Sequence, residues 1–149
     1  MTASAELWYE HDLLRGKLAL LEEWLPCLPD ALHTVRRMAW SLASCLANHL
    51  EREEALLFDL WTESRELSAA SIQALLRDHR QYGARLTLLL ELLSTTDGSP
   101  ELAPVHAQPL IKELREHMAK EEQRLFPALD EPLGAHAVHY IDSEESRRM

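Results

Sequence analysis

Four histidines stand at two repeated spacings. His11 and His79 lie 68 residues apart, as do His49 and His117, and within each half the separation is 38. Two of them carry a glutamate four residues on, Glu53 after His49 and Glu121 after His117. An i,i+4 pair on a helix shares one face, so each pair sets a nitrogen donor beside an oxygen donor. Burying two unpaired carboxylates costs on the order of several kcal/mol each, and a bound cation offsets that cost. Four imidazoles and two carboxylates suit two divalent ions with the carboxylates shared between them. The mixed N/O set favours iron or another late first-row metal over magnesium or calcium. The absence of cysteine from the set argues against a structural zinc site.

The flanks repeat as well. The stretch from His11 to Leu21 aligns with His79 to Leu89, and His49 to Phe58 aligns with His117 to Phe126. This is a helical hairpin written twice. Apolar periodicity predicts four helices, at about residues 4–25, 31–61, 68–93 and 101–129. Their inward stripes carry Leu7, His11, Leu14, Leu18, Leu21 and Leu25; then Val35, Met38, Leu42, Cys45, His49, Glu53, Leu56 and Leu60; then Ile72, Leu75, His79, Leu86, Leu90 and Leu93; then Leu110, Leu114, His117 and Glu121. Pro26 and Pro29 close the first helix, and Asp30 is placed to cap the second. Thr95 to Pro100 reads as a loop. Pro109 either kinks the fourth helix or marks its start, and Pro127 kinks or ends it. Each turn falls near the midpoint between consecutive histidines. An antiparallel, up-down-up-down four-helix bundle therefore brings all four imidazoles to one level of the core.

Composition agrees. Leucine occurs 30 times, whereas valine and isoleucine together occur 6 times, which favours helix over strand. A length of 149 residues fits one domain, read as a bundle over residues 1–130 with a polar C-terminal tail over 131–149. A net charge of −10 argues against a phosphate backbone or an anionic membrane as partner. No apolar run approaches the ~18 residues of a spanning helix, and the acidic start shows no signal peptide. Cys27 and Cys45 form no CxxC motif and read as small hydrophobes. A cytoplasmic protein is expected.

The pattern His11…His49-x-x-x-Glu53…His79…His117-x-x-x-Glu121 resembles the hemerythrin-like HHE cation-binding domain. So do the Glu53-Glu54…Leu57-Phe58 and Glu121-Glu122…Leu125-Phe126-Pro127 stretches and the Glu10-His11-Asp12 start. The resemblance spans about residues 5–130. It implies a non-haem di-iron centre of two iron ions, bridged by oxo or hydroxo and carboxylate groups, with His11, His49, Glu53, His79, His117 and Glu121 as metal ligands. The family's oxygen carriers place a second histidine four residues along the third helix, where this chain has Gly83. That position is either open to water, O2, peroxide or NO, or filled by Tyr82, Glu54 or Glu122. Those carriers also place the last carboxylate at i+5, which would select Glu122; the HHE pattern selects Glu121. Ferritin-like di-iron bundles use Glu-x-x-His, and this chain has no such pair at its ligand histidines.

Other residues receive blander readings. His33 and His106 sit near turns as surface residues, and His136 and His139 fall in the tail. Trp8 and Trp61 read as core packing or as shields of the metal pocket. Arg15 pairs with a carboxylate near the metal or snorkels to the bundle end. Three functions follow. The first is a binding protein for O2 or another small diatomic or peroxide ligand. The second is an enzyme turning over peroxide, O2 or NO. The third is a metal-pinned interaction bundle, with a homo-oligomer as a further possibility.

Overall fold

The computed structural model describes residues 2–64 and 69–130. Helix α1 spans Ala5–Trp24, α2 Leu32–Ser64, α3 Ala69–Leu92 and α4 Ala103–Lys120. A π-helical turn over Glu121–Leu125 joins α4 to the short α5, Phe126–Asp130. The chain is all-α, and no strand occurs among the described residues. Each helix packs against the next in sequence and α4 closes the ring against α1. The expected tail, 131–149, lies outside the described residues.

Proline and glycine set the connections. Pro26 sits in a 3-10 turn, Leu25–Cys27, that ends the first helix, and the Leu28–Pro29 peptide is cis. A Cβ on Gly98 would meet the Ser94 carbonyl oxygen at 2.3 Å, so only glycine fits that turn. Pro109 lies inside α4, which starts six residues earlier at Ala103; of the two readings, it is a residue within the helix and not its start. At the far end, Asp130 accepts hydrogen bonds from the backbone N–H and the hydroxyl of buried Ser4, tying α5 to the start of α1. That carboxylate also sits at the positive end of the α1 dipole.

The inward stripes of α1 and α4 are as expected: Leu7, Leu14, Leu18, Leu21, Leu25, Leu110 and Leu114 are buried. On α2 and α3, Val35, Leu42, His49, Glu53, His79 and Leu86 are buried as expected, as is Leu93 just past α3, but the buried face departs from the expected stripe at the remaining positions. Ala39, Leu46, Leu50, Leu57, Tyr82 and Leu89 are buried, whereas Met38, Cys45, Leu56, Leu60, Ile72, Leu75 and Leu90 are only half-buried. The core divides into two apolar blocks. A long one runs from Leu14 and Leu114 down to Leu25 and Leu93. A small one of Leu7, Leu57, Leu125 and Phe126 caps the other end. The histidine layer lies between them. Among the described residues, no helix is long and apolar enough to cross a membrane.

Candidate metal centre

Each of the four helices brings one histidine to this layer. His11, His49, His79 and His117 are all buried, as are Glu53 and Glu121. Glu53 and Glu121 stand between two pairs of imidazoles. Donor atoms of His11, His49, Glu53 and Glu121 lie within 4.8 Å of one another, and so do those of Glu53, His79, His117 and Glu121. The two groups share both carboxylates. Every histidine turns Nε2 inward. His11 Nε2 is 3.1 Å from Glu121 and 3.1 Å from His49 Nε2. His49 Nε2 lies 3.2 Å and His79 Nε2 3.0 Å from opposite oxygens of Glu53, and His117 Nε2 is 2.8 Å from Glu121.

These short distances are not all hydrogen bonds. Both oxygens of Glu53, Oε2 of Glu121, and Nε2 of His79 and of His117 are buried without a hydrogen-bond partner among the described residues. They sit near one another but are not aligned donor to acceptor. Buried polar atoms normally find a partner, and an orphan costs roughly 1–3 kcal/mol. Five orphans in one layer, drawn from four of the six residues, converge on one another as ligand atoms do around a cation. The donor set of imidazole and carboxylate fits late first-row divalent ions.

The outer nitrogens are held separately. Nδ1 of His11 is 2.7 Å from Glu122, Nδ1 of His49 is 2.8 Å from Glu10, and Nδ1 of His79 is 2.6 Å from Glu54. Arg15 binds Glu122 at 2.6 Å, and Arg52 binds Glu10. Of the two readings of Arg15, pairing with a carboxylate behind the centre is the one observed. The same contacts separate Glu121 from Glu122: the former faces the centre, and the latter backs His11 from outside. Glu10, Glu54 and Glu122 were missed in this role. Their signal was adjacency, one residue before or five after a histidine of the set.

Charge follows the geometry. Burial pulls the His79 pKa down, but the carboxylates of Glu121, Glu53 and Glu54 outweigh it and hold the value up at about 10. His49 is raised in the same way, against burial, by Glu53 and Glu10. Burial acts to raise the Glu121 carboxyl, yet contacts with Glu53, His11, His117 and His79 push it below the usual range. In the chain alone, protons on His49 and His79 supply positive charge beside these carboxylates.

Gly83 lies on the exposed side of α3, and a Cβ there would meet nothing within 4 Å. The helix turns Tyr82 inward instead, and its ring lies edge-on to His117 with centroids 5.2 Å apart. Burial, with Asp78 and Glu113 nearby, pushes the Tyr82 phenol up to about 12, so it stays protonated. One turn before His79, Leu75 lines a cavity that reaches His117 and Glu121. Trp8 and Trp61 are not core residues. Trp8 is 42% exposed and packs its edge on Phe126, which in turn covers the His11 ring. Trp61 is half-buried against exposed Phe58. His33 and His106 are exposed, as expected.

The family model of the hemerythrin HHE cation binding domain matches residues 2–129. No curated protein and no solved structure matches the chain.

Proposed function

Because the chain belongs to the hemerythrin HHE cation-binding family, we propose that it is a non-haem di-iron protein that binds O2 or a related small ligand such as NO or peroxide. The observation that supports this reading is the set of buried, partnerless oxygens and nitrogens shared between two donor groups. In this reading His11 and His49 serve one ion, His79 and His117 the other, and Glu53 and Glu121 lie between them. The working unit is residues 1–130.

The chain's own residues do three things. Glu122, Glu10 and Glu54 accept the Nδ1 protons of His11, His49 and His79. That fixes each tautomer with the Nε2 lone pair directed inward and makes the imidazole a better donor. Glu53 and Glu121 supply two negative charges inside a layer walled by apolar blocks on both sides. Low polarity there strengthens their hold on cations. Leu7, Leu57, Leu125 and Phe126 keep bulk water from one end. When bound, iron supplies redox-active Lewis-acid positions for a small ligand.

The test is to reduce the iron-loaded protein, admit air and record the visible spectrum. A new absorption band that the iron-free protein lacks is expected. Its decay under argon marks reversible binding, and its persistence marks consumption of the oxidant. No spectral change on admitting air, with iron present, would overturn the reading.

A further inference from the structure

We infer that small anions reach the metal centre through the cavity at the His117–Glu121 corner, drawn in by Lys120 and Arg124. The inference rests on the di-iron reading above. Three observations meet at this corner. The first is the cavity, of about 300 Å³, with Leu57, Ile72, Leu75 and Leu125 as walls and buried His117 and Glu121 at its inner end.

The second is the support of His117. The other three imidazoles each have a carboxylate on Nδ1. Asp78 stands 68 residues after Glu10, in the place that Glu10 takes for His49. It is one methylene shorter, and among the described residues no carboxylate backs His117 Nδ1. His117 is also the most exposed of the four, at 9% against 0–4%. Of the four imidazoles, His117 is therefore the one most open to approach from outside.

The third is charge. Lys120 and Arg124 line the cavity, are exposed, and make no ion pair among the described residues. Asp78 is the acidic group beside them at the mouth. Glu121 lies at the buried inner end, so among the described residues the outer mouth sets two cations against the one carboxylate of Asp78, a positive spot on a chain of net charge −10. Such a spot focuses anions and is indifferent to neutral molecules. A cavity of this volume admits a monovalent anion of two or three heavy atoms, such as azide, with room to spare.

The experiment titrates azide into oxidised, iron-loaded protein and follows visible absorption, with iron per chain measured for each variant. Lys120→Ser with Arg124→Gln is expected to raise the azide Kd about tenfold at low salt and to flatten its salt dependence, while NO binding to the reduced protein stays unchanged. Arg37→Gln with Lys112→Gln removes the same net charge from exposed sites elsewhere and is expected to change nothing. Leu75→Trp, which fills the cavity, is expected to slow azide association more than tenfold with iron retained. An unchanged azide Kd in the Lys120/Arg124 variant, an equal loss in the Arg37/Lys112 variant, or unimpeded association in Leu75→Trp would each overturn the inference and leave the di-iron reading standing. Wild-type protein that takes up no iron would overturn both.

Discussion

At the scale of the residue, Glu53 shows the conflict between stability and function most clearly. It is fully buried, and neither oxygen has a hydrogen-bond partner. Without a metal, its charge is balanced only by raised protonation of neighbouring imidazoles, as at His79. Replacing every member of a buried ionic cluster by apolar packing is often neutral or stabilising, but removing one partner strands the charge of the others. Glu53→Leu, which leaves His49 and His79 without the carboxylate that raises them, is therefore expected to destabilise the metal-free protein by about 3 kcal/mol while abolishing tight iron binding. Chemical denaturation of the chelator-treated protein, with iron analysis, checks this; an unchanged or raised stability of the metal-free form would contradict it. The identity of these inward residues was legible because type and spacing together carry it. The roles of Glu54 and Glu122 were not. A carboxylate adjacent to a ligand can face the metal or the far side of an imidazole, and only the helix rotation decides.

At the scale of the element, the end of the fourth helix carries a feature that the repeat conceals. Leu57-Phe58 and Leu125-Phe126 are the same motif 68 residues apart. Phe58 is 60% exposed, yet Phe126 is buried at 1%. The difference is the π turn, in which the Phe126 N–H donates to the Glu121 carbonyl. Pro127 has no N–H to give, and in a regular α-helix its ring would strike the Gln123 carbonyl. Widening the turn relieves that clash and shifts the helix phase by one residue, about 100°. Phe126 is thereby rolled inward onto His11. Pro127→Ala is expected to restore the regular helix, swing Phe126 outward as Phe58 is, and speed iron loss to a chelator several-fold. Unchanged release kinetics, with the Trp8 fluorescence that reports Phe126 unaltered, would contradict this. Pro127 announced a kink or an end in the sequence, but the direction of the phase shift depends on packing against α1. The outward turn of Gly83 has the same origin. The periodicity fixed His79 as inward, but it did not say on which side of His79 the inward face continues. The answer, Tyr82 at i+3 and Leu75 at i−4, comes from how α3 rolls against α2 and α4.

At the scale of the whole molecule, the sequence repeat is a statement about geometry. Two like hairpins pack into one ring, so their two His-x-x-x-Glu segments approach from opposite helices and interleave their carboxylates between four imidazoles. The level of that layer was readable from turn positions alone, since each turn lies midway between two histidines. What the repeat could not convey is where the two halves differ: the π turn, the shorter Asp78 and the cavity all fall on the His117 side. The central claim is that this layer holds two metal ions. The most direct test is the iron content of the reduced, reconstituted protein, purified without a chelating tag and freed of loosely bound metal. Two irons per chain are expected, lost on the combined replacement of Glu53 and Glu121. A content well below one iron per chain would contradict it.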